Sequence, residues 1–271
     1  MTTNAADERF LSDAAKYAAY LETPEGRLRL DLAFANVQEF LPQAIRGLRA
    51  LDLGGGTGAL AVRLAQLCFH VTLLDVSSPM LEVAQHTALE AGVADLIALK
   101  HGDAGQFANL FEAESFDLIL CHNVLEFVDN PGDVLRAAAR GLRDTSGTIS
   151  VLVRNRLGEV TKAALLNGDL TRAERNLTAE WGDESLYGGK VRLFAAVNLR
   201  AMLKAASLTV IAERGVRVLS DFLPPKVSRT DEYERIFELE RKLGAQPEFA
   251  AIARYTHVLA RRNGPLVKKG V

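Results

Sequence analysis

Three consecutive glycines, Gly54, Gly55 and Gly56, follow the apolar run Leu51-Asp52-Leu53 and lead through Thr57-Gly58 into a segment of helical pattern. A second apolar run, starting at His70, ends on Asp75. A strand entering a tight turn and then a helix points the helix N-terminus at a ligand. Glycine is needed there because a Cβ would block a positive-φ turn and keep the backbone away from a cofactor. A carboxylate at the tip of the next strand can accept both hydroxyls of a ribose. The chemistry implied is the holding of an adenosine-type cofactor, with Asp75 on its ribose.

Gly54-x-Gly56-x-x-Ala59 also satisfies the dinucleotide fingerprint, so the glycines alone leave a nicotinamide cofactor open. The surroundings favour S-adenosylmethionine. Asp52, two residues before the first glycine, is placed for the ammonium of a methionine moiety; its other reading is a cap on the turn's own amides. Gly102-Asp103-Ala104 closes a third apolar run. An acidic residue there can hold an adenine amine, and a small one lets the ring lie flat, although Asp103 also reads as a helix N-cap. Val76 and Met80 follow Asp75 in the same ligand-facing segment. His122 ends the run 116–122 and is the candidate general base for an acceptor that must lose a proton. Its alternative is a wall residue with no proton-transfer role.

These residues need a frame. Apolar runs predict strands at 49–53, 70–75, 96–101, 116–122 and 148–154, alternating with helices at 59–67, 77–92 and 130–142. That alternation implies a parallel sheet covered on both faces. Ser77-Ser78-Pro79 and Asn130-Pro131 are helix-start signals. Two segments fall outside the pattern. Residues 13–41 read as two helices broken at Thr23-Pro24, and 158–190 is polar with the only tryptophan, Trp181. Both are candidates for lids over the carboxyl edge of the sheet, where ligands of open α/β folds bind. The last third predicts a helix (199–206), a strand (209–218), a helix (231–243) and a closing strand (253–261) inserted antiparallel. The expected layout is a helical cap at 1–45, a catalytic domain at 46–262 carrying the 158–190 insertion, and a frayed tail at 263–271.

The 271 residues are 48% hydrophobic with a net charge of -2, so no global basic field attracts nucleic acid, though a local patch could hold one RNA. Cys68 and Cys121 lie in apolar runs without metal-ligand spacing, which predicts buried reduced thiols and no metal. No apolar run approaches the roughly 20 residues of a membrane span, and a cytoplasmic location is expected.

Together the stretches 51–58, 75–81, 102–104 and 116–127 resemble those of class I methyltransferases. From Lys16 to Arg262 the chain is similar to the bacterial tRNA carboxymethoxyuridine methyltransferase family. The residues carrying this are Gly26-Arg27-Leu28-Arg29, the run from Leu118 to Glu126, Gly215-Val216-Arg217-Val218, Tyr233 with Glu238-Leu239-Glu240, and Arg254-Tyr255-Thr256-His257-Val258. The resemblance implies a Rossmann-like α/β fold: a seven-stranded, mostly parallel sheet with an antiparallel last strand, helices on both faces and an N-terminal helical lid. It implies S-adenosyl-L-methionine as cofactor, with Arg29 on its carboxylate, Gly54 and Gly55 as cradle and Asp75 on the ribose. Ala104 and Gly105 would flank the adenine and His122 would line the pocket.

The implied reaction is methyl transfer to the carboxylate of a modified wobble uridine in tRNA. A carboxylate is already ionised at neutral pH and needs no base; a hydroxyl acceptor would. Arg154, Arg156 and Arg192 are candidates to fork a substrate carboxylate, and Tyr187 and Trp181 to stack on a base. His257 is expected to be structural. The family's basic stretch after the fifth strand is here the acidic 176–184. That departure supports the alternative, an O- or N-methyltransferase of a small metabolite. A cofactor-binding protein without catalysis is the third reading.

Overall fold

The computed structural model describes residues 14–42, 45–184, 186 and 188–263. The runs flanking the glycine turn become β1 (Arg49–Leu53) and β2 (His70–Asp75), followed by β3 (Ile97–His101), β4 (Leu118–His122) and β5 (Thr148–Arg154). A separate hairpin is formed by β6 (Trp181–Asp183) and β7 (Lys190–Arg192), and β8 (Leu208–Val216) and β9 (Tyr255–Arg262) complete the main sheet. Its order is β3-β2-β1-β4-β5-β9-β8, parallel from β3 to β5, with β9 antiparallel to both β5 and β8. This is the predicted architecture. Chain order reverses between β1 and β4, and a crevice opens at such a switch point.

The helices that close the faces are α1 (Ala14–Glu22), α2 (Pro24–Gln38), α3 (Ala59–Gln66), α4 (Ser78–Glu90), α5 (Phe107–Leu110) and α6 (Pro131–Gly141). They continue with α7 (Arg156–Thr161), α8 (Leu170–Asn176), α9 (Ala196–Ala205), α10 (Tyr233–Gly244) and α11 (Pro247–Ala250). Leu64, Phe69, Leu73 and Ala84 pack together across α3, α4 and β2. Leu135 of α6 and Leu199 of α9 close over Ile119, Val151 and Val258. The N-terminal helices are integral to the core: Leu28 and Leu32 of α2 pack with Tyr233 and Ile236 of α10 against Leu152 and Val216. Thr23 caps α2 by accepting from the Gly26 amide. Gly26 itself lies so close to the Tyr20 carbonyl that any Cβ would collide with it, which fixes the angle between α1 and α2.

Some boundaries differ from expectation for physical reasons. Phe116 stands before β4 and makes only an isolated bridge to Leu142, and Leu96 ends a 3-10 turn. Cys68 is exposed, contrary to the expected buried thiol, whereas Cys121 is buried. Cys68 takes a left-handed φ of 71° just past α3, with the Phe69 amide returning to Leu64, so it terminates a helix and does not face the core. The polar segment 158–190 is α7, a π-turn (Lys162–Leu166), α8 and the β6–β7 hairpin. No described helix is long and apolar enough to cross a membrane.

Candidate active site

Above the switch point lies a cavity of about 1340 Å³. Its first wall is the glycine turn. The Gly54 and Gly55 amides donate to the Leu74 carbonyl at 2.7 and 3.2 Å, which bends the chain back over β2. Gly54 and Gly56 have φ of +68° and +55°, and a Cβ on Gly54 would strike the Val124 side chain. The Gly56 amide donates to Asp75 Oδ2 at 2.8 Å and the Ser77 amide to Oδ1 at 2.9 Å. Asp75 is thus fixed with its remaining lone pairs on the cavity side. Burial raises its pKa, and the backbone amides oppose that rise. Val76, Met80, Asp103, Ala104 and Gly105 line the same end, with Asp103 Oδ1 accepting from the Gly105 amide at 2.7 Å.

Asp52 does not join them. It is 3% exposed, absent from the cavity wall, and its carboxylate sits under the turn, where a Cβ on Gly55 would touch it. Oδ2 has no hydrogen-bond partner, and desolvation with the nearby Asp75 charge pushes the pKa up to about 7. The expected contact with a ligand ammonium is corrected to support of the turn from below. Gly55 likewise faces away from the cavity.

The second wall is the tip of β4. Asn123, at a left-handed φ of 55°, receives Arg29 Nη1 on its Oδ1 at 2.7 Å and donates from Nδ2 to Glu126 Oε1 at 2.9 Å. Arg29 is 8% exposed and also donates to the Tyr17 hydroxyl at 2.9 Å. Among the described residues its partners include no carboxylate, an unusual state for a buried guanidinium. His122 lines the cavity and bonds through Nε2 to Ser150 Oγ at 2.8 Å. Burial, with His257 and Arg29 nearby, holds it well below the usual imidazole pKa, so it stays neutral.

The third wall is rich in paired charge. Arg154 reaches Glu184 at 2.7 Å and Glu159 at 3.4 Å, and Arg254 faces Glu159 at 2.8 Å. Arg217, in a left-handed conformation (φ 60°), pairs with Asp221 and donates to the Tyr20 hydroxyl at 3.2 Å. Burial alone would raise the Tyr255 phenol, but Arg154, Arg29, Arg217 and Arg254 outweigh it and hold its pKa below the ordinary value. Lys162, half-buried, is lowered by desolvation and by Arg254. Arg154 therefore lines the cavity as expected but already carries two carboxylates. Arg192 lies at the mouth, its guanidinium 4.6 Å from the centre of the Trp181 ring. Arg156 lies off the cavity wall, and Tyr187 falls outside the described residues.

Sequence reasoning missed Asn123, Glu126, Tyr17 and Tyr20, and assigned no role to Arg217, Arg254 or Tyr255. The last three had been noticed only as points of resemblance. Their shared destination is set by β9 pairing between β5 and β8, which no local pattern shows.

Comparison with known proteins agrees with this geometry. Residues 51–149 match the family described as a methyltransferase domain. The tRNA 5-carboxymethoxyuridine methyltransferase of Escherichia coli K12 is 31% identical over 258 residues, covering 94% of this chain and 97% of the relative. The ubiquinone biosynthesis O-methyltransferase of Hahella chejuensis is 37% identical over 113 residues, 42% of this chain and 44% of the relative. The CcbJ methyltransferase of Streptomyces caelestis superposes with a TM-score of 0.62 at 18% identity, covering 94% of this chain and 98% of the other.

Fold and matches together define a class I methyltransferase dependent on S-adenosyl-L-methionine. The methyl acceptor in this class is an RNA or a small molecule among the relatives found. The chain belongs to the tRNA 5-carboxymethoxyuridine methyltransferase family.

Proposed function

We propose that the chain methylates the carboxylate of 5-carboxymethoxyuridine at the wobble position of a tRNA, giving a methyl ester. The observation that carries this is the charge of the cavity. Arg154, Lys162, Arg217 and Arg254 gather on one wall of it, with Arg29 on another. Guanidinium and ammonium groups brought together in this way can fork and orient the carboxylate of an acceptor.

The cofactor fits the other half. Gly54 and Gly56, at positive φ, bring the turn's backbone to the cavity, Asp75 presents a carboxylate to a ribose, and Arg29 offers a buried guanidinium with no carboxylate partner among the described residues. Asp103, Ala104 and Gly105 would border the adenine, and Val76 and Met80 would pack beside it. When bound, the cofactor supplies an electrophilic methyl on a sulfonium. This chain's residues contribute placement: Arg217, Arg254 and Lys162 attract and orient the acceptor carboxylate. Aligning two bound reactants can supply about 7–11 kcal/mol of barrier reduction. No proton need be removed, which accords with a His122 held neutral and weakly basic.

Two features support RNA. The cavity exceeds the roughly 300–1,000 Å³ of a small-ligand pocket, leaving room for a second, flipped-out residue. The acidic run 176–184 is largely consumed internally, with Glu184 on Arg154 and Asp183 on Arg172 and Lys190, so it is not an acidic surface facing phosphates. Half-exposed Trp181 and Arg192 stand at the mouth, where an unstacked base could rest. In this reading 158–190 is the lid, 14–38 the helical side of the cofactor pocket, and the place of work the cytoplasm.

Incubation with radiolabelled S-adenosylmethionine tests it, comparing tRNA with a small-molecule extract of the same cells. Label in tRNA that mild alkali releases is the expected result. Label in the small-molecule fraction alone would overturn the reading in favour of a metabolite acceptor.

A further inference from the structure

A chain of hydrogen bonds runs from the cavity wall through the sheet to α2. His122 Nε2 lies 2.8 Å from Ser150 Oγ, Ser150 Oγ lies 2.7 Å from His257 Nε2, and His257 Nδ1 lies 3.1 Å from Asn36 Nδ2. His122, Ser150 and His257 belong to the adjacent strands β4, β5 and β9, and Asn36 to α2. Ser150 and His257 are fully buried and Asn36 is 5% exposed, so water does not compete along the path.

The chemistry of the groups gives this chain a direction. An amide nitrogen only donates, so Asn36 Nδ2 donates and His257 Nδ1 accepts. A neutral imidazole that accepts at one nitrogen carries its proton on the other, so His257 Nε2–H donates to Ser150 Oγ. The Ser150 hydroxyl hydrogen is then free to go to His122 Nε2. His122 must carry its own proton on Nδ1, an atom that is buried with no hydrogen-bond partner among the described residues. Neutrality of both rings is secured by burial, which with Arg214 holds His257 at a pKa of about 3 and keeps His122 well below its usual range.

We propose that Asn36, through His257 and Ser150, is a positioning residue that locks the cavity-lining His122 as the Nδ1–H tautomer and fixes its ring orientation. Held in this way, His122 has its Nε2 lone pair engaged by the Ser150 hydroxyl and does not abstract a proton from a bound ligand. The relay also couples the two ends of α2. Arg29 and Asn36 lie seven residues apart, on one face of the helix, so the group that orients His122 also seats the helix carrying the cavity's guanidinium. The inference takes from the proposed function only that this cavity binds the cofactor.

Long-range proton–nitrogen correlation spectra of ¹⁵N-histidine-labelled, ligand-free protein read the tautomers directly, with the two rings assigned from His122→Gln and His257→Gln. The expected wild-type pattern is Nδ1–H for His122 and Nε2–H for His257. Asn36→Ala should collapse the His122 pattern to a mixture of tautomers and weaken S-adenosylmethionine binding by about three- to tenfold, the worth of one hydrogen bond. Ser150→Ala cuts the same relay, so the double variant should bind no more weakly than Ser150→Ala alone. An Nε2–H or charged His122 in the wild type overturns the proposal even if no variant folds. So does a His122 pattern unchanged by Asn36→Ala, or fully additive losses in the double variant. Because the spectra need neither acceptor nor turnover, a failure of the tRNA reading leaves them decisive.

Discussion

Arg29 is held by a phenol and an amide carbonyl, and no carboxylate among the described residues pairs with it. Arg29→Ala should weaken S-adenosylmethionine binding by about 2–5 kcal/mol, the range for truncating a buried, hydrogen-bonded charge partner. Isothermal calorimetry on the folded variant checks this; an unchanged affinity would remove Arg29 from the cofactor. Asp75→Ala should cost about 1–3 kcal/mol in the same measurement through lost hydrogen bonds to the ribose. Asp52 makes a different prediction, about the protein alone. Its folded pKa of about 7 lies above the ordinary 3.8, so between these values the folded state holds a proton the unfolded state has released. Stability therefore falls as pH rises through that window, with a slope of at most about 1.4 kcal/mol per pH unit from this group. Asp52→Asn should flatten that part of the Tm–pH curve relative to wild type. Parallel curves would show that the carboxylate is not protonated under the turn.

The β6–β7 hairpin is the element on which the acceptor reading can be separated from the cofactor reading. Trp181 stands half-exposed on it beneath Arg192. Trp181→Ala should raise the KM for tRNA by about tenfold, within the roughly 1–3 kcal/mol of a base–aromatic stack, and leave cofactor affinity unchanged. Steady-state kinetics with tRNA substrates would detect this, and an unaltered KM would take the hairpin off the RNA face. At this scale the sequence was readable where one element declares itself. The glycine turn, the Ser77 cap and the Thr23-Pro24 break are local chemistry, and each sits where the pattern puts it. The acidic run 176–184 misled because charge type is visible in a sequence and charge pairing is not. Glu184 finds Arg154 thirty residues away, across the cavity. Asp52 misled for a related reason: spacing located it beside the turn, but only the fold decides whether a side chain lies above or below it.

At the scale of the molecule, two halves of the sheet do different work. β1 to β4 and their helices hold the cofactor end, while β5, β8, β9 and the 156–192 segment bring the arginines together. The first half is a contiguous stretch and was legible. The second joins Arg154, Arg217 and Arg254 from three regions whose meeting depends on strand order. β9 is the strand on which this depends. It follows every other strand in the chain, yet it pairs in the interior of the sheet, between β5 and β8. On the ribosome, then, the cofactor half emerges and can assemble while β5 still presents a bare edge, and such edges invite wrong partners. A chain interrupted before residue 254 would lack Arg254, Tyr255 and His257 together, and would be a nascent product for chaperones and proteases to recognise. Synthesis thus withholds this arginine cluster until the sheet is sealed.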